Sequence, residues 1–132
     1  VGVEAAQTLA QALATHLERW SERTGIKVET WALPTTDVEA YITRSVLAAV
    51  REALANVERH SGAETVSVAV TVGATGLRMT ISDDGMGSDA PVEGRGIELM
   101  RTAFANADGD LDFNFVPGGG VTVTGAIPFG RR

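Results

Sequence analysis

Residues 51–87 read REALANVERHSGAETVSVAVTVGATGLRMTISDDGMG, and along them the spacing of apolar side chains changes from helical to alternating. In the first ten residues, at about 100° per residue, Asn56 lies about 40° from Glu52, Arg59 about 20° the other way and His60 about 80° round. A carboxylate, an amide and two cationic candidates thus share one stripe of a helix. Ile42, Val46, Ala49, Val50, Ala53 and Val57 recur at spacings of three and four on a neighbouring arc, so this helix can pack by one side and show its polar stripe at the rim. Ser61-Gly62-Ala63 ends it. Val66, Val68, Val70 and Val72 then alternate with polar residues as a strand, Gly73-Ala74-Thr75-Gly76 turns the chain, and Leu77, Met79 and Ile81 alternate on the return. The second strand runs into Ser82-Asp83-Asp84-Gly85-Met86-Gly87, an acidic, glycine-rich strand end, and loops in that position commonly carry function.

Upstream, Thr36-Asp37-Val38-Glu39 has capping-box spacing, which places the start of the long helix at Thr36 as N-cap and its end near His60. Before it, residues 26–31 alternate like a half-buried strand that Leu33-Pro34 stops, and Leu9, Leu13, Leu17 and Trp20 mark a first helix from Val3 to about Arg23, ended by Thr24-Gly25. Trp20 and Trp31 are expected to pack in the core or at the sheet edge, and His16 to sit on the surface of its helix. Downstream, Ser88 to Glu93 lead to Gly94-Arg95-Gly96 and a helix over residues 97–104. Glycines opening a helix leave backbone N–H groups pointing outward, an arrangement that favours an anion. Strands over residues 111–115 and 121–127, joined by a turn at Pro117-Gly118-Gly119-Gly120, complete the chain. The order helix, strand, helix, two strands, helix, two strands predicts an α/β two-layer sandwich, a mixed sheet of about five strands covered on one face by three helices.

The 132 residues fit a single domain, and 44% hydrophobic residues supply a core without any run long enough to span a membrane. A net charge of −6 argues against nucleic acid or an anionic lipid surface as partner, since such binding is led by clustered Lys and Arg. The absence of cysteine excludes disulfides and thiolate metal sites. The first residues, Val1-Gly2, show no signal-peptide pattern and no methionine, from which we expect a fragment of a longer protein with partners elsewhere in that chain.

Three short elements now stand in order. Glu52-x-x-x-Asn56 with Arg59-His60 resembles the N box of the ATPase superfamily shared by gyrase, heat-shock protein 90, histidine kinases and MutL. Asp83-x-Gly85-x-Gly87 resembles its G1 box, and Gly94-x-Gly96-Ile97 with Met100 its G2 box. Within that superfamily, the run from Arg51 to His60 and the short segment between the second and third boxes most resemble sensor histidine kinases that pair with LuxR-type response regulators. The resemblance covers nearly the whole chain. It implies the Bergerat ATP-binding fold and a cytoplasmic domain without membrane contact of its own. It also implies ATP and Mg2+ as ligands, and transfer of the γ-phosphoryl group to a histidine on a separate dimerisation domain of the same kinase.

The residues carry roles consistent with that implication. The side-chain oxygen of Asn56 is a neutral, hard ligand suited to Mg2+. Asp83 can accept a hydrogen bond from the adenine amino group, with Gly85 and Gly87 letting backbone approach the base. Arg59 can bind phosphate through its fork of donors, and His60 can add a hydrogen bond or charge. Glu52 matches the residue that the family uses to polarise the attacking nucleophile. Gly94 and Gly96 are expected to cradle phosphates beneath a lid formed by Ser88 to Glu93, with Asp84 a solvated neighbour of the site. The chain departs from the family at Gly120-Val121, where Gly-Thr is usual, and at Ile97, where leucine is commoner. Two other readings share these features: an anti-sigma-factor-type serine kinase, and a nucleotide-sensing module without turnover. Acid lability of the phosphorylated product separates histidine from serine phosphorylation.

Overall fold

The computed structural model describes residues 8–85, 95–116 and 120–129, apart from the side chains of His60, Ser61 and Arg95. The first helix, α1 (Leu9–Thr24), buries Leu9, Leu13, Leu17 and Trp20, one residue per turn along a single stripe. The sequence-based start at Val3 lies outside the described residues; the helix begins behind Thr8, whose side chain caps Gln11 while the Gln11 side chain caps Thr8. Strand β1 (Lys27–Ala32) follows, close to its expected span.

The long helix is α2 (Ala40–Asn56), and here the expectation of a Thr36 cap is corrected. Glu39 occupies the N-cap with extended backbone and no side-chain cap bond, three residues later than the expected cap at Thr36. The cause is tertiary. Within the expected capping box, the Asp37 carboxylate accepts the backbone N–H of Leu9, 3.1 Å away, and so serves the first turn of α1 rather than α2. The helix buries Ile42, Val46, Ala49, Val50 and Ala53 as its spacing foretold, and Leu54 besides. Its C-terminal turn differs from expectation: Val57–Ser61 is π-helical, a wider turn that carries Val57 into the core and Glu58 and Arg59 to the surface.

Strands β2 (Thr65–Val72) and β3 (Gly76–Asp83) form the expected hairpin, with Val68 opposite Ile81 and Val70 opposite Met79. The third helix, α3 (Arg95–Ala105), leads to β4 (Asp110–Val116) and β5 (Gly120–Pro128). The sheet order is β1-β2-β3-β5-β4, with β1 parallel to β2 and every other pair antiparallel. This is the mixed five-stranded sheet with three helices that the order of elements predicts.

Alternation places the core on one face only. Val66, Val68, Val70, Leu77, Met79, Ile81, Val123 and Ile127 are buried against the helices together with Met100 and Phe104 of α3. Burying each such side chain is worth about 1.5–3 kcal/mol. The other face carries small polar groups such as the hydroxyls of Ser82 and Thr122, which stand 2.9 Å apart across β3 and β5. Trp20 lies in the core, whereas Trp31, on the edge strand β1, is 72% exposed. Among the described residues no helix is long and apolar enough to cross a membrane.

Candidate nucleotide site

Glu52 and Asn56 project from the last turn of α2, both partly buried, and the π-helical turn after them sets the direction of Arg59. The Arg59 guanidinium reaches back three residues and donates from Nη2 to Asn56 Oδ1 at 2.9 Å. The first turn of α3 lies directly over this pair. A methyl group placed on Gly96 would stand 3.2 Å from both Asn56 Oδ1 and Glu52 Oε1. The two oxygens therefore converge on the start of α3, where the expected glycine belongs because a side chain would crowd them. Helix N-terminal amide dipoles, a carboxylate, an amide oxygen and a guanidinium meet at one point. Ile97 is partly buried against the core, and Met100 is buried within it, 1% exposed.

A second constellation forms at the end of β3. The Asp83 carboxylate is half-buried and accepts the backbone N–H of Gly85 through Oδ1 at 2.8 Å. Burial pushes its pKa above the usual aspartate range; the backbone N–H groups of Gly85 and Val121 oppose that rise and the neighbouring Asp84 charge adds to it. Gly120 stands against Asp83 with φ of 91°, where any Cβ would overlap the Asp83 carbonyl, so this position requires glycine twice over. The side chain of Val121, the departure from the usual Gly-Thr, packs against the core.

Asp84 is exposed, as expected of a solvated neighbour, and it also makes bonds that the sequence reading did not anticipate. Its Oδ1 accepts the N–H groups of Glu64 and Thr65 at 2.9 and 3.1 Å, and its own N–H donates to the Thr65 carbonyl at 3.2 Å. It ties the end of β3 to the start of β2 and so fixes the chain on either side of Asp83. An aspartate just past a strand, facing the opening residues of its partner, was the available signal. His16 proves partly buried, and that burial, followed by the charges of Arg51 and Arg23, lowers its pKa. Gly87, Gly94 and the segment from Ser88 to Glu93 lie outside the described residues, as does the side chain of His60.

Known proteins share this architecture. Over 127 residues the chain is 32% identical to MctS, a sensor histidine kinase of Rhizobium johnstonii, covering 91% of this chain and 27% of that protein. It is 26% identical over 119 residues to the sensor histidine kinase YxjM of Bacillus subtilis, covering 89% of this chain and 29% of YxjM. The chain thus spans less than a third of the length of either relative. Among solved structures, the histidine kinase domain of the blue-light activated histidine kinase EL346 of Erythrobacter litoralis superposes with a TM-score of 0.75 at 26% identity, covering 95% of this chain and 65% of that one. The histidine kinase AdeS of Acinetobacter baumannii, 14% identical with a TM-score of 0.68, shares the fold over 93% of this chain and 64% of its own. Residues 3–111 match the family model described as the histidine kinase-like ATPase domain, and the chain belongs to that family.

Proposed function

We propose that this chain is the catalytic, ATP-binding domain of a cytoplasmic two-component sensor histidine kinase, passing the γ-phosphoryl group of Mg-ATP to a histidine on a separate dimerisation domain. From there the phosphoryl group goes on to a LuxR-type response regulator. The observation that carries this reading is the convergence of Glu52, Asn56 and Arg59 on the first turn of α3, with Asp83 fixed at the end of the adjacent strand pair.

Each group has a task that its placement allows. Asp83 accepts the adenine amino group, which a guanine carbonyl at the same position would repel. The open amides at the start of α3 and the Arg59 guanidinium take phosphate oxygens. The donor chemistry suits Mg2+: Asn56 would offer one hard, neutral oxygen, and phosphate oxygens and water would supply the ion's other ligands. When bound, the ion neutralises charge building on the phosphate oxygens. In this reading Glu52, which converges with Asn56 on the start of α3, accepts a proton from the incoming imidazole. Positioning and charge neutralisation supply most of the rate in such transfers.

A thermal-shift titration with Mg-ATP, ATP plus chelator, and Mg-GTP tests the reading. Ligand at a hundredfold its dissociation constant adds about 2.7 kcal/mol, enough to raise the melting temperature by several degrees. The expected result is a shift that requires adenine and grows with Mg2+. No shift at millimolar nucleotide refutes it.

A further inference from the structure

Helix α1 reaches the site through a contact that the resemblance does not involve. Glu58, in the π-helical turn, accepts both guanidinium nitrogens of Arg23, from the last turn of α1, at 2.9 and 3.1 Å, a bond between residues 35 apart in the chain. The next residue in the turn is Arg59, whose guanidinium holds Asn56 Oδ1. A π-helical turn is less favourable than an α-helical one and persists where tertiary contacts hold it. Here the core holds the turn by Val57 on its inner side, and the forked Arg23–Glu58 bond holds it on its outer side. The geometry of that turn decides where Arg59 points.

We propose that Arg23 and Glu58 are positioning residues for the nucleotide site: their ion pair fixes the π-helical turn so that Arg59 meets Asn56 and the phosphates. The inference rests on the reading of Asn56 and Arg59 as nucleotide contacts. It also makes α1 a support of the site, so that a displacement of α1 loosens nucleotide binding through this pair. Both side chains are well exposed, at 62% and 37%, so the pair adds little to stability, and its loss is felt in direction rather than in folding.

The test is a double-mutant cycle on this chain, read by competition of Mg-ATP against a fluorescent ATP analogue, with melting temperatures measured beside it. Glu58→Gln and Arg23→Gln each weaken Mg-ATP binding about three- to tenfold. Melting stays within about 1 °C of the parent protein. Adding Glu58→Gln to Arg59→Ala, or to Arg23→Gln, causes no further loss, because each pair acts as one unit. Arg23→Lys, which keeps the charge without the fork, falls between. Additive losses, or a loss that tracks a fall in melting temperature, overturn the positioning role. So does unchanged affinity in the single variants of a protein that binds Mg-ATP. A parent protein that does not bind Mg-ATP removes the site reading itself, and the positioning role with it.

Discussion

Substituting Gly96 by alanine separates the site from the fold. The added methyl would lie 3.2 Å from Asn56 Oδ1, 3.2 Å from Glu52 Oε1 and 3.4 Å from Asn56 Nδ2. These contacts are a few tenths of an ångström too tight, so the two side chains must give way. Gly96 lies within α3, where alanine is favoured over glycine by about 0.5–1 kcal/mol. Displacing two side chains off their preferred torsions costs about the same. The net change in stability is therefore close to zero, within about 1 kcal/mol. Function is hit harder, because a misplacement of about 1 Å can cost about a hundredfold in a positioned site, and a few tenths should cost about three- to tenfold. Urea denaturation and an Mg-ATP titration on one preparation check both halves. Unchanged nucleotide affinity would show that phosphates do not lie at the start of α3. A loss of more than about 2 kcal/mol of stability would show that Glu52 and Asn56 are too tightly held to move.

Asn56→Asp is expected to weaken Mg-ATP binding at least tenfold by setting a charge beside the phosphates, and calorimetry showing parental affinity would remove Asn56 from the metal position. For Asp83 the sign of the pH dependence follows from its raised pKa: its carboxylate is disfavoured by the fold, so its contribution to stability is present below the unfolded pKa and lost as pH rises through the folded one. Adenine needs the ionised form, so ATP affinity falls on acidification through a pKa above the ordinary 3.8 while inorganic triphosphate affinity does not; parallel loss of both refutes the assignment. Asp83→Asn should likewise cost more affinity for ATP than for triphosphate. Asp84→Ala leaves the N–H groups of Glu64 and Thr65 to water and should cost about 1–2 kcal/mol in a denaturant titration, with a change under about 0.5 kcal/mol counting against its strand-tying role.

Much of this was legible in the chain because the informative residues act locally. The valines at 66, 68 and 70 and the run from Leu77 to Ile81 encode their strands by alternation alone, and the apolar arc from Ile42 to Val57 encodes α2. What escaped depends on contacts between distant residues. Thr8-Leu9-Ala10-Gln11 and Thr36-Asp37-Val38-Glu39 share the capping-box spacing, yet only the first forms one, and within the second Asp37 instead bonds Leu9, 28 residues away. The π-helical turn has no periodic signature in five residues, and it is held by an ion pair 35 residues across. The position of β5 between β3 and β4 is also silent in the pattern, since alternation fixes which face a strand buries and not which strand it joins.

The seating of Gly120 against Asp83 bears on the order in which a newly made chain becomes competent. The Asp83 carboxylate, to which the proposed function assigns adenine, is walled by Gly120, nearly forty residues further along, and β5 must slot between two strands already made. Contacts of such separation form late, after the local hairpin and helices, because closing the intervening loop costs entropy before it returns any contact energy. During synthesis, then, helices and hairpin stand complete while the site proposed for the base still lacks a wall. If that proposal holds, a nascent chain released before residue 120 keeps Glu52, Asn56 and Arg59 without the wall beside Asp83 that would select adenine.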